Sequence, residues 1–242
     1  MDKNNLFIPS IIIAISFIIC SIIFTSTWRA NYASNQTINV TGSAKKDIVS
    51  DLGILRGTFS SQASTAEGAY RELLKQKPSL ISYLAANGFP ENKIEFFTIN
   101  SYPVYEIGSN GYQTGKIIAY NYNQRIEIKS TDVNKIKSIS LDIPSLIEKG
   151  VNFNVEMPEY HYTNLADLKI EIQADASKDA MIRAQKIAEA TGRKLGPMRS
   201  ARMGVLQITP RLSNMVSDYG INDLSSIEKE ITAVVNASFE IE

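Results

Sequence analysis

The run LADLKIEIQADASKDAMIRAQKIAEATGRKLG, Leu165 to Gly196, decides how this chain folds. Alanines fall at Ala176, Ala180, Ala184 and Ala188, every fourth residue, with Leu165, Leu168, Ile172 and Ile187 on neighbouring helical positions. The spacing predicts a long amphipathic helix whose small-residue seam lets a sheet or a second helix approach closely. Gly192 ends it.

Strand patterns stand on both sides of that helix. Downstream, Met198 to Thr209 reads as a strand, and Pro210 to Ser226 as an irregular, mobile loop long enough to carry function or an interface. ITAVVNASFEIE closes the sequence, with Ile231, Ala233, Val235, Ala237, Phe239 and Ile241 alternating with Thr232, Asn236, Ser238 and Glu240, a strong strand signal. Upstream, Val151 to Tyr160 reads as a strand, and Thr163 or Asn164 caps the long helix.

The first part of the body follows the same logic. Ile38 to Gly42 and Asp47 to Phe59 read as strands. Ser64 and Glu67 stand in the capping-box relation before a helix with the face Ala66, Tyr70, Leu73, Leu74, Leu80, Ile81 and Leu84. Pro78 predicts a kink or break in it, and Asn87-Gly88 its left-handed end. Lys93 to Tyr105 reads as a strand, Glu106 to Lys116 as a loop. From Ile118 the pattern alternates: Ile118, Tyr120, Tyr122, Ile126 and Ile128 on one face, Ala119, Asn121, Asn123, Arg125, Glu127 and Lys129 on the other. One wet face is the habit of an antiparallel hairpin. Thr131 or Asp132 caps a helix through Val133, Ile136 and Ile139, and Pro144 opens a short turn that Gly150 ends. The expected class is α+β, an antiparallel sheet covered by helices on one side, preceded by one transmembrane helix. The order of units hints at duplication, Ile38 to Gly88 against Val151 to Glu242, without residue identity to support a repeat.

Leu6 to Phe24 is an uncharged run of about twenty residues, which at ~1.5 Å each spans a hydrocarbon core of ~30 Å. Trp28 and Arg29 interrupt any clean cleavage site, which favours an anchor over a cleaved signal. Ile18 and Ile19 before Cys20 argue against lipidation. The expected division is a short inside end at 1–5, an anchor at 6–25, a linker at 26–37 and one domain at 38–242. Lys3 faces only Arg29 across the span, so charge fixes orientation weakly. The default is an extracytoplasmic body, with Trp28 and Tyr32 as aromatic anchors at the outer interface.

Lys+Arg 25 against Asp+Glu 25 leaves no excess of positive charge for phosphate, so nucleic acid is not an expected partner. The single cysteine lies in the apolar run, so the body has neither a disulfide nor a thiol nucleophile. GSNGYQTGK at Gly108 to Lys116 fails as a phosphate loop: Asn110 stands where a glycine is required and Ile117 where Ser or Thr is required. It reads as a hairpin tip. His161, the one histidine, has no companion ligands in its turn and reads as structural or exposed; no metal or cofactor is expected. Asp47 and Asp51, four apart in one strand, form a conceivable carboxylate pair, so a hydrolase using Asp47, Asp51 or His161 is the least favoured reading. Asp179 with Arg183 and Glu189 with Arg193 are ordinary helical pairs. Tyr102, Tyr105, Tyr112, Tyr120 and Tyr122 gather around one hairpin. Cross-strand packing explains most of them, and they are also the candidate interaction surface.

Taken in order, several pieces resemble the SIMPL-domain family of bacterial envelope proteins. They are I-N-V-T-G-S-A at Ile38 to Ala44, the Ala-Asn-Gly-Phe helix end followed by Ile94 and Thr98, and Pro103-Val-Tyr105 before a glycine loop and Tyr120. The alanine-ladder helix closing in Gly192 and Leu195-Gly196, and the ending Phe239-Glu-Ile241, complete the set. Pro78, Pro144 and Gly68 depart from the pattern inside helices. The resemblance implies an α+β domain, export, self-association and a link to oxidative-stress defence, and it brings no catalytic residues. The expectation is a non-enzymatic, membrane-anchored homo-oligomer supporting envelope or oxidative-stress tolerance. The alternative is a binding module presenting the tyrosine hairpin and the Pro210 to Ser226 loop to an envelope protein or cell-wall material.

Overall fold

The computed structural model describes residues 7–33 and 36–241, with side chains for 9–28 and 36–241. Helix α1 (Phe7–Ala33) is, among the described residues, the one helix long and apolar enough to cross a membrane, over Pro9–Trp28, and every side chain of that span is exposed. It continues through residues 26–33, and Trp28 packs on Phe24 with ring centroids 5.7 Å apart. The expected inside end with Lys3, Asn35 of the linker, and the side chains of Arg29 and Tyr32 lie outside the described residues.

Two helix-covered sheets make up the body. Strand β1 (Thr37–Val49) breaks at Ser50-Asp51 before β2 (Leu52–Ala63), so Asp47 belongs to the first strand rather than to the second. Then come α2 (Ala66–Ala86), β3 (Ile94–Ile107), β4 (Gln113–Ser130), α3 (Val133–Asp142), and a 3-10 turn from Ile143 to Lys149 ended by left-handed Gly150. The expected strand from Val151 to Tyr160 is instead two short ones, β5 (Phe153–Val155) and β6 (Glu159–His161), because Pro158 between them has no amide to donate. Helix α4 (Leu165–Ala190) follows. The expected strand from Met198 is likewise divided at Gly204 into β7 (Leu195–Met203) and β8 (Gln207–Pro210), before β9 (Ile221–Asn222) and β10 (Glu228–Ile241).

Strand β10 is the centre of one sheet. β1 pairs with it over thirteen residues, from Thr37 opposite Glu240 to Val49 opposite Glu228. Its other side carries β7 at one end and β8 at the other, with β9 added parallel to β8. The second sheet has the order β3-β4-β2, with β5 and β6 side by side along the far edge of β2. All pairs except β8 with β9 are antiparallel. The chain therefore starts and ends in one sheet and builds the other in between, which differs from the division into first and second halves that the unit order suggested.

Local chemistry sets the helix ends. α2 is capped by Thr65, whose hydroxyl accepts the Gly68 amide at 3.1 Å, and not by the Ser64–Glu67 pair; Glu67 pairs with Arg71 instead. A Cβ at residue 68 would stand 2.9 Å from the Thr65 hydroxyl, which accounts for glycine there. Pro78 leaves α2 unbroken. Leu73, Leu80 and Leu84, fully buried against Leu55, Phe59, Ile126 and Ile128, hold the helix on its sheet, while Tyr70 and Leu74 of the expected face stay exposed. Asp132 caps α3 by accepting the Lys135 amide at 3.0 Å.

The alanine seam works as its spacing predicts. Ala176, Ala180 and Ala184 are fully buried, with Leu168 and Ile172, over Ile231, Ala233, Val235, Ala237 and Phe239 of β10, while Ile187 stays exposed. At Gly42 of β1 a side chain would overlap the Ala176 carbonyl and come within 2.7 Å of the Ala180 Cα, so helix and strand meet backbone to backbone. Asp179 sits beside this contact and accepts the Ser43 amide at 2.8 Å and the Arg183 guanidinium at 2.7 Å; these bonds, the amide first, hold its carboxyl below the usual range. Gly42→Val is expected to cost about 3 kcal/mol, because neither backbone can retreat without opening the seam, and Gly42→Ala somewhat less. A denaturant midpoint unchanged in both variants would contradict this packing.

Candidate interaction surface

β3 and β4 outrun their support. β2 ends at Ala63, opposite Tyr120, so Gln113 to Ala119 of β4 pairs with β3 alone. A two-stranded ribbon without a third strand or a helix buries little surface of its own. This arm nevertheless exposes Ile107, Tyr112, Ile117 and Ile118, with Tyr112 at 74% and Ile107 at 70% exposure. Lys116 pairs with Glu106 at 3.0 Å across it, and the Gly108 amide donates to the Tyr112 carbonyl at 2.8 Å to close the tip. GSNGYQTGK is thus the hairpin end that its failed phosphate-loop spacing implied.

The five tyrosines divide between the arm and its root. Tyr112 is at the tip and Tyr105 lies half-buried opposite Ile117. Tyr102 is exposed at the root, and Tyr120 and Tyr122 lie half-buried where β4 is paired on both sides. Tyr122 meets Tyr70 edge to face, centroids 5.8 Å apart, so it packs onto α2. Ile118 is exposed, contrary to the expected face, because β2 ends before it and the two-stranded arm has no further strand to cover it; a register shift between Val104 and Tyr105 also leaves it without a ladder partner. Periodicity could not reveal Ile107, Ile117 and Ile118 as exposed. The overhang shows only in the structure, where the arm's strands run 14 and 18 residues beside a neighbour of 12.

A second exposed apolar stretch lies in the Pro210 to Ser226 segment. Leu212, Met215, Val216 and Tyr219 are 65 to 97% exposed, and Leu212 holds φ 64°, a left-handed conformation that a branched side chain adopts at a cost. β8 and β9 give part of this segment regular structure.

The titratable candidates are all engaged separately. Asp51 accepts the Thr163 amide at 2.8 Å and its hydroxyl at 2.7 Å, whereas Asp47 pairs with Arg211 at 3.2 Å; the break at Ser50-Asp51 separates the two. His161 lies 3.1 Å from Glu159. That carboxylate belongs to a cross-strand ladder in which Arg56 bridges Glu127 at 2.5 Å and Glu159 at 2.6 Å, and Lys129 reaches Glu127 at 2.7 Å. Burial pushes the Glu127 carboxyl up, but hydrogen bonds from Lys129 and Arg56 outweigh it and leave the group below the ordinary range. Glu159 is lowered in the same way by His161 and Arg56 against its burial. Among the described residues, no group of three or more His, Cys, Asp or Glu is placed to hold a metal.

Because both carboxyls ionise more readily folded than unfolded, their contribution is complete above the unfolded carboxylate range near pH 4.3 and is lost as pH falls through the lower folded values. Urea midpoints should fall below about pH 4.5, and less steeply in Glu127→Gln. Arg56→Ala leaves Glu127, 7% exposed, with Lys129 alone and should cost roughly 3 kcal/mol at pH 7. An unchanged midpoint in Arg56→Ala would remove the ladder from any role in stability.

Comparison with known proteins adds a family to this geometry. The chain is 25% identical over 180 residues to the Uncharacterized protein YggE of Escherichia coli (strain K12), covering 72% of this chain and 68% of that protein. The same identity and coverage hold for YggE of Escherichia coli O157:H7 and of Shigella flexneri. The SIMPL profile, described as "Protein of unknown function (DUF541)", matches residues 38–239, from the second residue of β1 to Phe239 of β10. Both helix-covered sheets fall inside that match, and the chain belongs to the SIMPL family.

Proposed function

We propose that this is a non-enzymatic SIMPL protein, anchored in the membrane by α1 with its body outside the cytoplasm, whose copies assemble through the β3–β4 arm to support envelope or oxidative-stress tolerance. The observation that carries the reading is the arm. Ile107, Tyr112, Ile117 and Ile118 are held in water on a ribbon that neither sheet covers, and exposed apolar surface of this kind is what an interface buries. A second copy is the natural partner for a protein tethered beside others of its kind, since confinement to one bilayer raises their effective concentration. The loop carrying Leu212 and Tyr219 supplies a different apolar surface, so arm-on-loop contacts would be heterologous, giving a ring where the rotation between copies closes and an open array where it does not.

The strained Leu212 supports a second reading, in which arm and loop present themselves to a partner protein or to cell-wall material. Sedimentation of the full chain in detergent separates the two. Self-assembly gives species larger than a monomer, and Ile107→Ser with Tyr112→Ser weakens association by roughly tenfold or more while circular dichroism is unchanged. A chain that stays monomeric at high micromolar concentration defeats the assembly reading. Capture of an envelope component, lost when residues 212–219 are deleted, would then point to the binding module.

A further inference from the structure

The end of the body nearest α1 has a surface that the arm does not explain. Four peptide steps separate Ala33 from Thr37, so the first residue of β1 lies within about 14 Å of the end of α1. The C-terminal part of α4, the turn after it, the start of β7 and the end of β10 gather at this same end: Arg193 donates to the Gln36 side chain at 3.2 Å, and Leu195 pairs with Ile241. The second sheet is remote from it, because β1 runs about 40 Å before the chain enters β2.

The side chains here combine two properties. Ile182, Ile187 and Met198 are 53, 46 and 45% exposed, and Ile182 and Ile187 line a shallow groove of about 480 Å³ between α4 and Asn39 to Thr41 of β1. Around them stand Arg183, Lys186, Arg193, Lys194 and Arg199, against the carboxylates Asp179, Glu189 and Glu240. Arg183 pairs with Asp179, Lys186 with Glu189 at 3.0 Å, and Arg199 with Glu240. Among the described residues, five cations against three carboxylates leave two positive charges in excess, on Arg193 and Lys194.

We propose that this end, Ile182 to Met198 with the open edge of β1, docks on the surface of the bilayer that α1 crosses and is held there by anionic phospholipid headgroups. The inference rests on α1 being a membrane anchor. Given that anchor, the tether keeps the patch within reach of the headgroups, the unbalanced cations match their charge, and the isoleucines enter the headgroup–acyl boundary as the apolar face of an interfacial helix does.

The test uses the full chain reconstituted in bilayers of phosphatidylcholine alone or of phosphatidylcholine with phosphatidylglycerol. In a Cys20→Ser background, spin labels are placed at Ile187→Cys or, for comparison on α3, at Leu141→Cys; the unmodified chain is labelled at its native Cys20. Docking predicts that in the anionic bilayer the label at 187 loses collisions with a water-soluble nickel chelate on the order of tenfold and gains collisions with oxygen, while the label at 141 is unchanged. High salt, or Lys186→Glu with Arg193→Glu and Lys194→Glu, restores water access. Equal access in both bilayers, with Cys20 in lipid, overturns docking and leaves the anchor standing. Protection at 187 that follows the protein-to-lipid ratio rather than lipid charge overturns it in favour of contact between copies. A water-exposed label at Cys20 overturns the anchor and this inference with it.

Discussion

The distance between α4 and β1 is the constraint on which the first sheet depends. A helix usually rests on a sheet through side chains that keep the two backbones about 10 Å apart. Here Gly42 has no side chain and Ala176 and Ala180 have only methyl groups, so the helix comes to backbone contact with the sheet's edge strand while its seam also covers the central strand β10. Two consequences follow. Asp179 is brought beside the edge of β1 and occupies the Ser43 amide, so part of an otherwise unpaired edge is filled from within the molecule. β7, on the other side of β10, is left beyond the helix's cover, and Pro197 to Met203 are exposed along its length.

The two sheets are joined by a buried charge. Lys229, on β10 and 2% exposed, donates to the Tyr160 carbonyl at 2.6 Å and to the Asp223 carbonyl, so one ammonium ties β10 to β6 and to the loop between β9 and β10. Burial pushes its pKa down, and the nearby Asp223 carboxylate only partly restores it. A methionine of similar volume would avoid that desolvation but would leave the carbonyls unsatisfied. Backbone bonds from Ser50 to Ile227 at 2.9 Å and from Tyr160 to Leu224 at 2.8 Å flank the lysine. The junction is polar at its centre, and hydrogen-bond direction, which apolar packing lacks, sets how the second sheet joins the first.

Periodicity made legible whatever depends on one face being dry. Ala176 to Ala188, the alternation in β10, and Ile126 with Ile128 in β4 were readable because a buried face leaves a repeat in the sequence. Breaks within extended segments were not. Ser50-Asp51 and Gly204 end strands through hydrogen bonds to the Ile227, His161 and Val234 carbonyls, partners too distant in sequence to leave a local mark. Lys229 lies one residue after Glu228 and before Glu230 and reads as surface, since nothing local reports the carbonyls waiting for it. The tyrosine cluster was legible as composition, but its division into root and arm was not, because that depends on where β2 stops.

That dependence bears on what the arm is for. A ribbon on which Ile107, Tyr112, Ile117 and Ile118 all remain in water gains nothing from those residues in a lone molecule, since apolar groups stabilise a fold only when burial removes them from solvent. Threonine would serve the strands equally well and would lower the risk of nonspecific association. Nor is the arm a loose excursion of the chain: register shifts near Ile99 and Tyr105 bend and twist it while keeping it paired as far as Ile107 and Gln113. A segment held in order with apolar groups outward incurs its cost before any partner arrives. Preorganisation of this kind lowers the entropy lost on binding, which is the advantage that the proposed assembly through the arm would draw on.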